Sequence, residues 1–148
     1  MIYKTSFKTK MGWVSAFEEN KKIFKVSFGK VKRKNNTKIL NQFKKKLLNY
    51  FNKKKSNIII KNQIKGNLIQ KKVWNELKNI KKGETKTYGE IAKKFNLSPR
   101  HVGKICSQNK LLLLIPCHRV VRSNGELGGF TSTGGVKLKK KLLEFEKL

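Results

Sequence analysis

The sequence contains no aspartate and is poor in acidic residues, cysteine, proline and alanine. Its 148 residues include eight Glu, two Cys, two Pro and two Ala. The longest apolar run, residues 111–115, is too short to cross a bilayer. The amino terminus alternates lysine with apolar residues and lacks the continuous apolar stretch of a signal peptide. These absences predict a soluble protein without a membrane partner, cytoplasmic and nucleoid-associated or, in a eukaryote, nuclear.

The scarcity of cysteine limits the chemistry further. Cys106 and Cys117 form no CxxC pair and are too few for a disulfide framework, so both are expected to be free thiols in a reducing compartment. Together with the two histidines they match no zinc-ligand spacing. We therefore expect neither a bound metal nor a cofactor.

Positive charge is what the sequence has in abundance. Its 37 Lys and Arg give a formal net charge of +29, which favours a polyanion, above all nucleic acid, as the partner. The cations are spread along the chain, with 18 in residues 1–64 and 19 in residues 65–148, and only four are Arg. An AT-rich coding bias explains the same composition, so charge alone leaves both interpretations open.

Residues 1–64 are predicted to form a small α+β unit. Residues 12–17 and 23–28 read as two strands joined by a polar turn, and Phe24, Val26 and Phe28 are expected on one face. Residues 58–60 read as a short buried strand. Between these segments, apolar residues recur at helical spacing: Ile39, Phe43, Leu47 and Phe51, flanked by Leu40 and Leu48.

Residues 65–148 are predicted to form a mostly helical second domain. A first helix is expected to carry Val73, Leu77 and Ile80 on one face and to stop at Gly83. Thr87 followed by Glu90 fits a capping box, which predicts a helix with Ile91, Ala92 and Phe95 on its buried side. The lysine runs 44–46, 53–55 and 139–141 are interpreted as solvated helix faces and loops.

Ser98 and Pro99 predict that a further helix starts immediately afterwards, because serine caps helices and proline is tolerated in the first turn. Val102, Ile105 and Cys106 would form its apolar side. Two short helices joined by a tight turn are a helix-turn-helix candidate, although many helix pairs of this outline never touch DNA. A glycine-rich loop and a final helix with Leu138, Leu142 and Phe145 complete the domain.

The segment "IPCHRVV" places a cysteine beside a histidine at the end of an apolar run. Cysteine reacts as thiolate, and a neighbouring imidazole can take its proton directly or through one water. A histidine in that role usually has an acid on its other nitrogen, which here must be one of the eight glutamates. Taken alone, Cys117 is better explained as a buried inert thiol, and the adjacent His118 favours the reactive interpretation.

The order of these parts resembles the O6-alkylguanine-DNA alkyltransferases. "IPCHRVV" follows the candidate helix-turn-helix and precedes a glycine-rich loop and a terminal helix. The resemblance is strong from "VWNELKNIKKGETKTYGEIA" onward and faint in "MGWVSAFEENKKIFKVSFG". It implies a ribonuclease H-like amino-terminal unit, residues 1–64, and an alkyltransferase and DNA-binding domain, residues 65–148.

The resemblance implies repair of double-stranded DNA by direct damage reversal. A monomer would bind the minor groove, flip the damaged base out of the stack, and accept an alkyl group from O6-alkylguanine, or from O4-alkylthymine, on a cysteine. Motif matching assigns Cys117 as acceptor, His118 as base and Asn109 as a brace of the turn. The carboxylate that follows Leu142-Leu143 is Glu146, with Glu144 as the alternative.

The same matching assigns DNA and pocket contacts. Arg100 would replace the flipped base, Tyr88 would meet the rotated phosphate and the guanine edge, and Gly103 would lie near the duplex. Further matches fall in the substrate pocket: Val120 and Cys117 through their carbonyls, Cys106 as an apolar wall, Phe130 as an aromatic face, and Thr131 or Ser132 as the amide that meets O6. Arg119 is read as a brace of the turn.

The sequence departs from the family pattern at three places. Phe130 stands where tyrosine is usual, Lys110 stands where proline is usual, and the loop "FTSTGG" is about two residues longer. A related non-repairing group has tryptophan in place of the cysteine, and Cys117 argues against membership of that group. Two rival functions stay open: a DNA-binding regulator or lesion sensor, and a thiol hydrolase with a Cys-His dyad.

Overall fold

The computed structural model describes residues 1–52, 58–130, 132 and 134–147. The fold is mixed α+β, with five α-helices and one three-stranded antiparallel sheet among the described residues. The chain divides into two compact units, Met1–Lys65 and Gly66–Leu148. The sequence places that division after residue 64. The described residues include no helix long and apolar enough to cross a membrane.

Unit 1 starts with an antiparallel meander. Its strands are β1 (Ile2–Thr9), β2 (Gly12–Glu19) and β3 (Lys22–Phe28), in the order β1-β2-β3. The two predicted strands lie within β2 and β3, whereas the sequence pattern does not predict β1. Asn20 and Lys21 join β2 to β3 with φ of 53° and 62°. This two-residue turn with both φ positive matches the twist of an antiparallel hairpin.

The expected grouping of Phe24 with Val26 and Phe28 is wrong. Phe17 pairs with Lys25 and Glu18 with Ile23, so Phe24 is an extra residue in β3. A bulge of this kind reverses the alternation of faces. Ile23 is therefore fully buried, whereas Phe24 is only half-buried and lies beside Phe17 with ring centroids 6.3 Å apart.

The helix α1 (Lys38–Phe51) covers the inner face of this sheet. Thr37 caps it by accepting from the Leu40 amide. The ring of Phe43 meets that of Phe7 edge to face at 6.2 Å. The buried stripe differs slightly from the predicted one, because Tyr50 joins it while Ile39 and Leu48 stay half-buried.

The predicted buried strand at residues 58–60 is also wrong. These residues have no regular secondary structure, and the side chain of Ile59 is 71% exposed. The chain instead meets β3 at a single parallel bridge between Ile23 and Asn62. The predicted solvated run 53–55 lies outside the described residues.

Unit 2 begins with α2 (Leu68–Leu77), which is capped by a reciprocal pair of Asn67 and Gln70. The helix ends at Leu77 and not at Gly83 as predicted. Ile80 is buried as predicted, with only 3% of its surface exposed, but it lies beyond the end of the helix. The indole of Trp74 donates to the Ile105 carbonyl at 3.0 Å and so ties α2 to a later helix.

That later helix is α4 (Pro99–Ser107), which follows α3 (Tyr88–Phe95) after a three-residue turn. The Thr87–Glu90 capping box and the Ser98 cap with Pro99 in the first turn are both confirmed. Asn96 ends α3 in the left-handed region with φ of 56°, which an asparagine tolerates. Phe95 is half-buried, in contrast to its predicted burial.

The remaining elements of unit 2 bring distant residues together. The short strands β4 (Lys86–Thr87) and β5 (Val120–Val121) pair in parallel. A 3-10 turn (Cys117–Arg119) leads directly into β5, and α5 (Gly135–Glu146) packs against that turn. The start of α3, the "PCHR" turn and α5 therefore meet at one place.

Candidate active site

The loop before Cys117 holds the cysteine in a fixed position. Leu113 has a φ of 70°, which turns the chain back sharply, and the Cys117 amide donates to the Ile115 carbonyl at 2.8 Å. Asn109 fixes the inside of this loop: its side-chain oxygen accepts from the Leu111 amide at 2.9 Å, and its amide nitrogen donates to the Ile115 carbonyl at 3.0 Å. The same nitrogen lies 3.3 Å from Cys117 Sγ.

His118, Glu146 and Arg119 form a buried ion-pair network. His118 Nε2 lies 2.9 Å from Glu146 Oε1. Arg119 contacts the same carboxylate with two nitrogens, Nε at 3.0 Å and Nη2 at 2.6 Å, and donates from Nη1 to the Ile80 carbonyl at 2.7 Å. Because the two-pronged contact fixes both carboxylate oxygens, it also fixes the orientation of the imidazole.

The alternative carboxylate, Glu144, lies elsewhere. Its side chain is 64% exposed and 4.0 Å from Lys140, one turn earlier on α5. The Glu146 side chain, by contrast, is 1% exposed and faces the turn that carries His118. The structure thus brings Cys117, His118, Asn109 and Glu146 together.

The network sets the protonation states at rest. Burial lowers the pKa of His118 even though Glu146 opposes that shift, so the imidazole is neutral. Burial alone would raise the pKa of Glu146, but hydrogen bonds from His118 and Arg119 outweigh it and lower that pKa to about 2. Burial raises the pKa of Cys117, against the hydrogen bond from Asn109 and the charge of Lys139. The resting pair is therefore a thiol beside a neutral imidazole.

Lys139 is a site residue that the sequence interpretation misses. The sequence pattern assigns it to a solvated lysine run, yet it is fully buried. Its ammonium donates to the Val120 carbonyl at 2.7 Å, the Tyr88 hydroxyl at 3.2 Å and the Gly129 carbonyl at 3.3 Å. The i,i+7 spacing of Lys139 and Glu146, two helical turns on one face of α5, is the available signal.

Burial shifts the pKa of both Lys139 and Tyr88. Burial lowers the pKa of Lys139 to about 8. Burial, with smaller contributions from the two cysteines, raises the pKa of Tyr88 to about 12. At neutral pH the tyrosine is thus a neutral donor and the lysine a cation next to the cysteine.

A cleft opens above Cys117. Tyr88 forms one wall of this cleft, and the backbone of Gly128 packs closely against the Tyr88 ring because glycine has no side chain. A Cβ at Gly128 would lie 2.8 Å from the Tyr88 hydroxyl, and the φ of this glycine is +76°. Gly103 also lines the cleft, but a Cβ there would sit 3.9 Å from Tyr88, an ordinary contact.

Two further residues that the resemblance assigns, Arg100 to base flipping and Phe130 to the substrate pocket, also line the cleft. Arg100 is exposed in the first turn of α4, and Phe130 is half-buried. Of the two candidate amide donors, Thr131 lies outside the described residues. Ser132 is half-buried, and its carbonyl accepts from the Gly135 amide at 3.0 Å at the start of α5.

The pocket carbonyls are already engaged. The Val120 carbonyl accepts from Lys139, and the Cys117 carbonyl accepts from the Val120 amide. Each carbonyl keeps a second lone pair for a further donor. Cys106 lines the same cleft from α4, and burial raises its pKa to about 12.

The arrangement suits nucleophilic displacement by sulfur. The Cys117 thiol lines an open cleft, and a carboxylate orients the imidazole of the next residue, His118. The Tyr88 hydroxyl, which accepts from buried Lys139, lines the same cleft. Among the described residues no group of three or more His, Cys, Asp or Glu side chains could hold a metal ion.

Several known proteins are similar to this chain in sequence and in fold. A family profile described as 6-O-methylguanine DNA methyltransferase, DNA binding domain, matches residues 68–148. The methylated-DNA–protein-cysteine methyltransferase of Metallosphaera sedula is 39% identical over 149 residues, which cover 99% of this chain and 94% of that protein. The Methanocaldococcus vulcanius protein of the same name is 55% identical over 78 residues, which cover 53% of this chain and 47% of that protein.

A solved structure extends the likeness to the fold of the whole chain. Mycobacterium tuberculosis OGT in complex with DNA matches with a TM-score of 0.84 at 25% identity, over 97% of this chain and 92% of that one. Profile, full-length relative and fold agree with each other and with the resemblance found in the sequence. The chain therefore belongs to the O6-methylguanine-DNA methyltransferase family of DNA-repair proteins and is a methyltransferase.

Proposed function

We propose that this protein repairs O6-alkylguanine in double-stranded DNA by moving the alkyl group to Cys117, one group per protein molecule. The observation that carries the proposal is the buried network of His118, Glu146 and Arg119 beside a cysteine at the base of an open cleft. The names of the relatives, which specify a protein cysteine as the methyl acceptor, support it.

The proposed step is a single in-line displacement. The Cys117 proton passes to His118, directly or through one water, and the thiolate attacks the alkyl carbon. The new C–S bond forms as the bond from carbon to O6 breaks, and the electron pair of that bond stays on the guanine oxygen. Glu146 stabilises the imidazolium that forms, as the carboxylate of a catalytic triad does. Asn109 stabilises the developing thiolate through its contact with Sγ.

The negative charge that develops on the leaving guanine needs hydrogen-bond donors around the base. We propose that Tyr88 donates toward the guanine edge and that the amide of Thr131 or Ser132 meets O6. The Val120 and Cys117 carbonyls would accept from the exocyclic amine, while Cys106 and Phe130 form apolar walls. The product is a thioether at Cys117, a bond that is stable to hydrolysis, and each molecule acts once.

Access to O6 requires base flipping. In duplex DNA the O6 atom is inside the base stack, where no thiolate can line up behind the alkyl carbon. We propose that α3 and α4 act as a helix-turn-helix in the minor groove, with Gly103 near the duplex and exposed Arg100 filling the place of the flipped base. The structurally similar Mycobacterium tuberculosis OGT was solved in complex with DNA, which supports DNA as the partner.

The same proposal assigns roles to the two units. Unit 2 is the alkyltransferase and DNA-binding domain, and unit 1 is a ribonuclease H-like domain. The protein acts as a monomer on O6-alkylguanine, with O4-alkylthymine as the alternative substrate, in the compartment that holds the DNA, without a cofactor.

The test is intact-mass analysis after incubation with duplex DNA containing O6-methylguanine. Wild type and Cys106→Ser should each gain one methyl group, which peptide mapping places on Cys117, and Cys117→Ser should gain none. Cys106→Ser is a matched control because both thiols line the same cleft. DNA binding without any mass gain would instead favour the lesion sensor, and repeated product release would favour the thiol hydrolase.

A further inference from the structure

Unit 1 carries a basic surface on the side of its sheet that faces away from α1. Cross-strand pairing sets Trp13 opposite Lys8 and Phe17 opposite Lys25. Because alternate residues of a strand share a face, these four side chains lie together on the outer side. Trp13 and Phe17 are only half-buried, so both rings remain accessible there.

The segment after β3 adds two more lysines to this side. Residues 29–35 run across the sheet, where the Val31 amide donates to the Ser6 hydroxyl at 3.3 Å. This crossing places Lys30 Nζ 4.7 Å and Lys34 Nζ 5.7 Å from the centroid of the Trp13 ring. Both lysines are exposed.

Phe17 repeats the arrangement. Lys25 Nζ lies 5.1 Å from the centroid of its ring, and Lys65 Nζ lies 5.3 Å from that of the neighbouring Phe24. Cation–π contacts at exposed sites contribute about 0.5–1 kcal/mol each, enough to favour one position of a flexible lysine. The rings therefore favour fixed positions for the ammonium groups of Lys25, Lys30 and Lys34.

These charges are not neutralised within unit 1. Residues 1–65 contain 19 Lys and Arg and two Glu, and one of those, Glu18, is buried. In the described part of unit 1, no lysine of this surface lies within ion-pair distance of a carboxylate. Repulsion among like charges on one face is relieved when a polyanion binds.

We propose that this outer sheet surface, formed by Lys8, Lys25, Lys30 and Lys34 around Trp13 and Phe17, binds the phosphate backbone of nucleic acid without regard to sequence. It is a contact additional to the cleft of unit 2, and its relevance to DNA rests on the proposed repair function. A composition bias accounts for the number of lysines, but not for their alignment over aromatic rings on one face of the sheet.

The test compares two variants that lose the same charge. Lys30→Gln/Lys34→Gln removes the pair over Trp13, and Lys38→Gln/Lys45→Gln removes two exposed lysines of α1. Binding of an unmodified duplex of about 40 base pairs is measured over a range of salt concentrations. Each lost phosphate contact flattens the slope of log K against log salt by about 0.9. The first pair should flatten it by about 1–2, and the control pair should leave it nearly unchanged.

A third variant separates organised charge from total charge. Trp13→Leu keeps every lysine but removes the ring that orders two of them, and should weaken binding about threefold at moderate salt. Equal effects of the two lysine pairs, or no effect of Lys30→Gln/Lys34→Gln, would overturn the proposal.

Methyl transfer to Cys117, measured on the same proteins at saturating damaged duplex, should stay at the wild-type rate. Absence of transfer in the wild type would refute the repair function while leaving the salt comparison valid.

Discussion

The floor and the rim of the cleft in unit 2 are built in opposite ways. By the floor we mean Cys117, which lines the cleft, and three buried side chains that do not line it, namely His118, Glu146 and Lys139. Each of the four has a hydrogen-bond partner. On the rim, Arg100 is exposed. The groups that would react are thus held in position by other residues of the protein. Arg100, which would meet DNA, is instead exposed to solvent in the absence of DNA.

This difference has an energetic consequence. A buried ion pair stabilises a protein only while both partners remain, because removing one leaves an uncompensated charge in a medium that solvates it poorly. An exposed side chain can be replaced at almost no cost in stability. Substitutions on the floor should therefore alter folding and chemistry together, and substitutions on the rim should alter only the reaction on DNA.

The largest expected effect follows replacement of the floor carboxylate. Glu146→Gln leaves Arg119 without its two-pronged partner and His118 without its orienting charge. We expect a loss of about 3–5 kcal/mol in the free energy of unfolding, measured by urea denaturation. Glu144→Gln is the control, since that carboxylate is exposed, and should change stability by less than about 0.5 kcal/mol. Similar losses for both variants would contradict the importance of the buried network.

Replacing the imidazole should affect chemistry more than folding. His118→Gln should lower the rate of alkyl transfer about 10²–10⁴-fold near neutral pH while binding to damaged duplex stays unchanged. Because burial raises the pKa of Cys117, the variant must rely on direct ionisation of the thiol. Its rate should rise about tenfold per pH unit above neutrality, more steeply than that of the wild type. Parallel pH profiles would show that His118 is not the base.

The rim should respond only when the substrate is DNA. Arg100→Ala should slow transfer from O6-methylguanine in duplex DNA by about 10–100-fold, the scale of one unstacked base. Transfer from a free O6-alkylguanine base, which needs no flipping, should stay at the wild-type rate. Thermal unfolding should be unchanged, because Arg100 is exposed. A loss on both substrates would place Arg100 in the chemical step instead.

The smallest expected effect is a pH dependence of stability that arises from Lys139. Its pKa falls from 10.5 to about 8 on folding, so between these pH values the unfolded chain binds more protons than the folded one. Stability then rises with pH through this window and is lower below it. Relative to Lys139→Met, the wild type should gain about 1–2 kcal/mol across the window in urea denaturation. An identical pH dependence in both proteins would contradict burial of a titrating lysine.

The sequence is sufficient where a feature depends on neighbours in the chain. The Thr87–Glu90 box and the Ser98-Pro99 start are set by residues three positions apart or fewer, and the structure has both. The sequence pattern fails where contacts between residues far apart in the chain determine the local structure. Phe24 faces outward because of a bulge that depends on its pairing with β2, which no alternation pattern reveals.

The predictions for the active site show the same difference between local and distant determinants. The resemblance favours Glu146 over Glu144, and the structure places Glu146 against His118. The sequence pattern groups Lys139 with Lys140 and Lys141 in a solvated run, because identical letters carry no sign of which one turns inward. Only the packing of α5 against the "PCHR" turn and Tyr88 distinguishes it.

The most direct measurement counts the alkyl groups accepted per protein chain when damaged duplex is in large excess. With O6-methylguanine labelled in the methyl group, uptake should rise to one equivalent and stop, in the wild type and in Cys106→Ser alike, and stay at zero in Cys117→Ser. Uptake that passes one equivalent, or that persists without Cys117, would contradict stoichiometric transfer to this cysteine.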